Sequence, residues 1–137
     1  MRIMLDTNIL ISTILFNSYK LKTIINYICD NHKLVLSTYI LDELEYVTAK
    51  KFSDKMLSMY EFLSSLPYEI EYTPEYAFDS LNIDLRDAND IPVLYSALMS
   101  KVNILITGDK DFDNIEVEGL EILKPNDFYE KYINGDI

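Results

Sequence analysis

The stretch RIMLDTNILIS, residues 2–12, places a short apolar segment directly before a group of polar residues. Residues 3–5 are typical of a strand buried in a sheet, and they are followed at once by Asp6, Thr7 and Asn8. Each of these three side chains can cap a helix, because its oxygen accepts hydrogen bonds from the unpaired N–H groups of a first turn. Taken alone, the stretch fits a capped strand–helix junction about as well as it fits a functional carboxylate.

Strand-like and helix-like segments alternate along the rest of the chain. Helical patterns reach from Thr7 to about residue 28 and recur at 38–66 (two helices or one bent one), 91–100 and 125–133. Further strands are predicted at residues 33–37 (KLVLS), 68–73 (YEIEYT), 103–107 (NILIT) and 120–123 (LEIL). Strands separated by helices predict an α/β fold, with a parallel sheet and helices on both of its faces.

Length and composition predict one domain over residues 1–137. A chain of 137 residues that is 49% hydrophobic can bury a core, and it contains no linker or repeat. The apolar run at 9–16 is interrupted by Ser12 and Thr13, which is not the layout of a signal peptide, and no segment has membrane-spanning length. The single cysteine, Cys29, cannot form an internal disulfide. We therefore expect a cytoplasmic protein with no membrane association.

The net charge of −11, from 12 basic and 23 acidic residues, repels nucleic acid at long range. A phosphate-backbone partner is compatible with this charge only if carboxylates gather around a bound cation or if a local basic strip survives. Lys50, Lys51 and Lys55 form the best candidate strip, although three lysines on a helix are more often a solvated face.

Acidic residues recur just after the predicted strands. Because the carboxyl ends of parallel strands meet at one rim of a sheet, where ligands bind in such folds, these residues are expected to converge. The residues in question are Asp6 after the first strand, Glu43 about a turn into the helix that follows the second, and Thr107, Asp109, Asp111 and Asp113 after the fourth.

Two further acids precede a predicted helix in DLRDANDIPVLYSA, residues 84–97. Pro92 must lie in the first helical turn, which makes Asn89 a plausible cap and puts Asp90 at the first helical position. A carboxylate there is favoured by the helix dipole, so Asp87 and Asp90 each have a structural explanation as good as a functional one.

A convergent cluster of carboxylates would require a cation, because the charges raise one another's pKa values and destabilise the metal-free fold. Oxygen ligands without Cys or His favour Mg²⁺ or Mn²⁺ over zinc. The only histidine, His32, precedes a strand and is expected at the opposite rim, which argues against zinc and Ser-His-Asp chemistry. A carboxylate-bound Mg²⁺ or Mn²⁺ in an open crevice is typical of phosphoryl chemistry.

Four segments together resemble the acidic motifs of the PIN-domain family, in order and at similar intervals. They are LDTNILIS (5–12), STYILDEL (37–44), DANDIPVLYSA (87–97) and LITGDKDF (105–112). The resemblance runs from Arg2 to the ILKPNDFYEKY tail (122–132), and the chain is most similar to the small toxin components of toxin–antitoxin systems, the VapC-like proteins.

This resemblance implies a three-layer α/β/α sandwich with a central, mostly parallel sheet of four to five strands. It also implies a Mg²⁺- or Mn²⁺-dependent endoribonuclease that hydrolyses RNA phosphodiester bonds, forms a homodimer and is neutralised by a protein antitoxin. The residues that match the catalytic, metal-binding acids are Asp6, Glu43, Asp90 and Asp109. The residues that match supporting positions are Thr7, Asn8, Thr107 and either Asp111 or Asp113, with Asp87 an alternative to Asp90 because the segment carries Asp-Ile-Pro.

Other functions remain open at this point. A catalytically weak metal-binding interaction module would use the same acids, and so would a nuclease of RNA processing that is no toxin. An aspartyl-phosphate hydrolase would need a second Asp where Asn8 stands. The eleven tyrosines, and Tyr60, Phe62 and Tyr68 in particular, indicate more aromatic surface than a small core hides, which favours a homodimer and a groove for a partner helix.

Overall fold

A computed structural model describes residues 1–73 and 91–136 of the chain. Its centre is one five-stranded sheet in which every strand pairs in parallel with its neighbours, in the order β3-β2-β1-β4-β5. The strands are β1 (Arg2–Leu5), β2 (Lys33–Ser37), β3 (Tyr68–Glu71), β4 (Ile104–Ile106) and β5 (Glu121–Leu123). The predicted parallel sheet of four to five strands is confirmed.

Six α-helices surround this sheet within the described ranges. They are α1 (Thr7–Phe16), α2 (Tyr19–Asn31), α3 (Thr38–Lys51), α4 (Met56–Ser65), α5 (Ile91–Met99) and α6 (Pro125–Phe128), which continues into a π-helical segment (Tyr129–Ile133). The strand order runs outward from β1 in both directions. Because crossovers between parallel strands are right-handed, connections running in opposite directions place their helices on opposite faces, which gives the predicted three-layer sandwich.

The helical pattern predicted from Thr7 to about residue 28 is in fact two helices. Asn17 ends α1 in the left-handed region, with φ of 51°, a conformation that asparagine tolerates better than most residues. Ser18 then caps α2, its hydroxyl accepting a hydrogen bond from Leu21 N at 3.3 Å. The stretch predicted as two helices or one bent one is likewise two, α3 and α4, joined by a 3₁₀ turn at Ser53–Lys55.

The core lies on both faces of the three inner strands. Residues 3–5 of β1 and 34–36 of β2 are buried, as is the whole of β4. Sheets covered on both sides carry such continuous apolar strands. The helices complete the core with Ile24, Ile28, Ile40, Leu44, Leu94 and Phe128, among others.

The strand order reverses between β1 and β4, and in open α/β sheets the binding crevice lies outside the carboxyl ends of the strands at that point. His32 ends α2 immediately before β2, at the other end of the strands. Cys29 is half-buried, and burial raises the pKa of its thiol. Across residues 1–73 and 91–136, no helix has the length and apolar character needed to cross a membrane.

Candidate active site

Asp6 lies at the carboxyl end of the central strand and is only 5% exposed. Its backbone N–H donates to Ile106 O of β4 at 3.0 Å, which continues the sheet by one residue. Its side chain caps α1, with Oδ1 accepting from Thr7 N at 2.7 Å. The other oxygen, Oδ2, accepts from the Thr107 hydroxyl at 2.8 Å. The capping role and a functional role therefore fall on the same carboxylate.

Thr107 joins the ends of β1 and β4. It is almost fully buried, and its N–H donates to Leu123 O of β5 at 3.0 Å. Its hydroxyl donates to Asp6 and accepts from Asp109 N at 3.1 Å. Asp109 Oδ1 in turn accepts from Asp111 N at 2.9 Å. This chain of hydrogen bonds holds the loop after β4 against the Asp6 carboxylate.

Glu43 approaches the site from α3, in the second turn of that helix. It is half-buried, and Tyr39 donates its hydroxyl to Glu43 Oε2 at 3.2 Å. Ser37 positions the helix start, because its hydroxyl accepts from Ile40 N at 3.2 Å. An acid directly after β1, one from α3 and one from the loop after β4 thus face the same rim.

Burial raises the pKa of Asp6 above its ordinary value. The hydrogen bonds from Thr107 and from Thr7 N oppose that rise, whereas the negative charges of Glu43 and Asp109 add to it. Asp6 is therefore a carboxylate whose charged form is disfavoured by both solvent exclusion and like charge. Groups perturbed in this way in a crevice are frequent at functional sites.

The described residues place no cation on this cluster. The ion pairs found between residues of 1–73 and 91–136 do not include Asp6, Glu43 or Asp109. Beside Asp6, the Thr7 hydroxyl is buried and has no hydrogen-bond partner among residues 1–73 and 91–136, which is uncommon in a folded protein. The site combines surplus negative charge with an unused buried oxygen.

The available donors are chemically suited to a hard divalent cation. They are carboxylate and hydroxyl oxygens, the ligands that Mg²⁺ and Mn²⁺ prefer. Within the described part of the chain, however, no three acidic, His or Cys side chains are grouped closely enough to hold a metal ion. The predicted fourth acid, Asp90, and its alternative, Asp87, lie outside the described residues.

The other predicted site residues also lie at this rim. None of them is hydrogen-bonded to Asp6 within the described part of the chain. Asn8 is exposed in the first turn of α1, and Asp111 is half-buried in a 3₁₀ turn (Lys110–Phe112). Asp113 forms an ion pair with Lys124, with Oδ1 at 3.2 Å from Nζ. Lys50 and Lys51, from the predicted basic strip, end α3, about 20 Å along the helix from its start at the rim.

Sequence reasoning missed Lys124. It stands directly after β5, so the rule that selected the acids, namely inspection of the residue after each strand, also selects this lysine.

Two of the aromatic residues singled out in the sequence, Tyr60 and Tyr68, line a groove between α3 and α4. Tyr60 is 45% exposed there, whereas Phe62 and Tyr68 are half-buried against the core. The groove has an apolar floor and an acidic edge, formed by Leu41, Met59 and Leu63 and by Asp42 and Glu45 respectively.

A family model described as "PIN domain" matches residues 2–111, which include Asp6, Glu43 and Asp109. No curated protein sequence matches the chain. The fold is similar to that of a solved structure described as VapBC2 from Rickettsia felis bound to a DNA fragment from their promoter. The TM-score is 0.72 at 21% identity, over 89% of this chain and 97% of the other.

A second similar structure is described as DNA-bound VapBC from Salmonella typhimurium. Its TM-score is 0.67 at 19% identity, over 91% of this chain and 98% of the other. At these identities the structural likeness shows a common fold, while the family model covers most of the chain. The chain belongs to the PIN-domain family.

Proposed function

We propose that this protein is a Mg²⁺- or Mn²⁺-dependent endoribonuclease and the toxin component of a toxin–antitoxin pair, acting in the cytoplasm. One observation carries the proposal. Asp6, a buried carboxylate, lies at the carboxyl end of the central strand, where the negative charges of Glu43 and Asp109 add to the rise in its pKa and no cation among the described residues balances it. Membership of the PIN-domain family, a family of nucleases, supports the same activity.

The residues that would hold the ion are Asp6, Glu43 and Asp109, together with Asp90 or Asp87. When bound, a divalent ion supplies Lewis-acid stabilisation of the phosphate and lowers the pKa of a coordinated water. The protein contributes the position of its ligands. Thr107 fixes one oxygen of Asp6 and Thr7 N the other, so that the carboxylate cannot rotate away from the crevice.

The loop after β4 fixes the second carboxylate. The Thr107 hydroxyl accepts from Asp109 N, and the Asp111 N–H holds Asp109 Oδ1. These bonds leave Asp109 Oδ2 for a ligand. The Thr7 hydroxyl, buried beside Asp6 and without a hydrogen-bond partner in the described part of the chain, would provide a further oxygen for a coordinated water. The hydrogen bonds to Asp109 and the buried position of the Thr7 hydroxyl fix polar atoms before the substrate binds. Such preorganisation is expected to supply most of the catalytic effect of this kind of enzyme.

We also propose a protein antitoxin and a homodimer. The two similar structures described above are of VapBC bound to DNA, which supports an antitoxin partner. The groove between α3 and α4 has an apolar floor and an acidic edge, and it would accept an amphipathic helix with basic flanks. Sedimentation across micromolar concentrations tests the dimer, and a strict monomer would contradict it.

The activity is tested with purified protein and a labelled RNA. Cleavage should require Mn²⁺ or Mg²⁺ and stop when EDTA is added, because the carboxylates alone neither activate water nor stabilise the phosphate charge. Restoring Mn²⁺ in excess of EDTA should restore the rate. Cleavage that persists in EDTA, or an RNA that is bound but never cut with either metal, would contradict the nuclease assignment.

A further inference from the structure

A polar groove lies beside the acidic centre, on the β5 side of the same rim. It runs between the start of α2 and the start of α6, and its floor passes over Gly108, where a side-chain carbon would meet no atom within 4 Å. Its polar lining consists of Ser18, Lys20, Lys124, Asn126 and Asp127. The groove thus begins within one residue of Thr107 and of Asp109.

A smaller depression connects this groove to the acidic centre. It is lined by Thr107, Asp109 and Asp113 among others, and it shares Lys124 and Asp127 with the groove. Because the two depressions share a wall, a continuous surface leads from the Asp109 carboxylate past Lys124 to Lys20. A chain-like ligand whose reacting group sits at the acids can follow this surface.

The charges along the surface change sign with distance from the acids. The charged lining of the outer groove is two lysines and one acid, Asp127, whereas that of the inner depression is one lysine, Lys124, and three acids, Asp109, Asp113 and Asp127. Both ammonium groups are accessible: Lys20 is exposed with Nζ 4.9 Å from the Tyr129 ring centroid, and the Lys124 side chain is 47% exposed. The two lysines therefore form a local basic site in a chain whose net charge is −11.

We propose that this outer groove binds the sugar–phosphate backbone of single-stranded RNA beside the bond to be cleaved. Lys20 and Lys124 would contact successive phosphates, and Ser18 and Asn126 would offer hydrogen bonds to the backbone. The inference rests on the proposed function. Lysines act as flexible point charges in an open groove, so the contact carries affinity and register but no base preference.

The groove also explains how so acidic a protein holds RNA. Phosphates adjacent to the acidic centre meet lysines, while the acids themselves receive only the group that a cation binds. The Lys124–Asp113 ion pair is exposed and therefore weak, so a phosphate can replace Asp113 as the partner of Lys124. The strip at Lys50 and Lys51 lies at the far end of α3 and is not part of this path.

Binding and cleavage are separated by working with an Asp6→Asn protein, in which we expect no turnover. Fluorescence anisotropy with a labelled single-stranded RNA gives Kd for this protein and for versions that also carry Lys20→Gln, Lys124→Gln or both. Lys51→Gln is the matched control, since it removes the same charge from an exposed helix position away from the groove.

Each groove substitution should raise Kd roughly three- to tenfold, and each should reduce the slope of log K against log salt by about 0.7, the value for one phosphate contact on a single strand. Lys51→Gln should change neither quantity appreciably. With Asp6 restored, the groove variants should raise KM for RNA with little change in kcat, because the lost contacts are made equally in the ground and transition states.

Three results would overturn the proposal that this groove binds RNA. They are RNA binding that is unchanged in the double variant, equal losses in the groove variants and Lys51→Gln, and no measurable RNA binding by the parent protein. A preference of the groove for an acidic peptide over RNA would assign it to a protein partner instead. If RNA binds through Lys20 and Lys124 but is never cut, the groove binds RNA and the proposed nuclease activity is contradicted. The two proposals can therefore fail separately.

Discussion

Two groups of carboxylates in this molecule meet opposite surroundings. On edge strand β3, Glu69 and Glu71 both bind the guanidinium of Arg2, with Glu71 Oε1 at 2.9 Å from Nη2, and Lys33 lies 3.5 Å from Glu69. The hydrogen bond from Arg2 lowers the pKa of Glu69. At the ends of β1 and β4, burial and two neighbouring acids raise the pKa of Asp6.

The contrast separates a structural role from a functional one. The acids on β3 are compensated, and the pair ties β1 to an edge strand that it does not contact through the sheet. At the rim, Asp113 pairs with Lys124, but Asp6, Glu43 and Asp109 form no ion pair with any residue of the described part of the chain. A fold tolerates uncompensated buried charge when a cationic ligand binds there, so the site is marked by the absence of an internal partner as much as by its acids.

The largest effect expected from this contrast is on RNA cleavage. Asp6→Asn keeps a side-chain oxygen for capping α1 but removes the charge that binds metal, so the rate with Mn²⁺ should fall at least about a hundredfold. Glu69→Gln removes a compensated charge and should leave the rate within about twofold of wild type, because surface ion pairs away from a site contribute little to it. Equal rates for Asp6→Asn and wild type would assign the activity to a contaminant.

A smaller effect with opposite signs is expected in stability without metal. The pKa of Asp6 is higher in the folded than in the unfolded protein. Asp6 therefore stabilises the fold fully at pH values below its ordinary pKa of 3.8, and this stabilisation is lost as the pH rises through the folded-state pKa. Asp6→Asn should therefore be more stable than wild type at neutral pH in EDTA, and the gain should shrink on acidification.

Glu69 should behave in the reverse manner, since its folded-state pKa is lowered. Glu69 stabilises the fold fully at pH values above its ordinary pKa of 4.5, and this stabilisation is lost as the pH falls through the folded-state pKa. Glu69→Gln should thus be less stable than wild type at neutral pH, with a deficit that disappears in acid. Thermal melts across this pH range in EDTA measure both differences, and the same sign for both variants would remove the contrast.

Much of the rim could be predicted because it follows from local sequence and one topological rule. Apolar strands separated by helices indicate a parallel sheet, and the residues after those strands then share an edge. That reasoning placed Asp6, Thr107 and Asp109 together, and the structure links them by hydrogen bonds. The assignment of these residues and of Glu43 to metal binding stays a prediction.

What could not be predicted depends on contacts between distant residues. Nothing local in the sequence pairs Arg2 with Glu69 and Glu71, because the contact depends on the strand order and on side-chain reach across β2. Lys20 joins Lys124 only because α2 begins at the rim, after Asn17 interrupts what looks like a single helical run. The break between α1 and α2 did have a local signal in the sequence, because Asn17 and Ser18 are residue types that end one helix and cap the next.

The central claim is that the Asp6 cluster, and not the β3 pair, binds a divalent cation, and Mn²⁺-dependent stability tests it most directly. At a hundredfold excess of Mn²⁺ over its dissociation constant, the free energy of unfolding of wild type should rise by about 2.7 kcal/mol relative to EDTA. Glu69→Gln should show the same rise and Asp6→Asn a much smaller one. If Asp6→Asn melts lower than wild type in EDTA and gains as much from Mn²⁺, the acids at the rim are structural and the claim is contradicted.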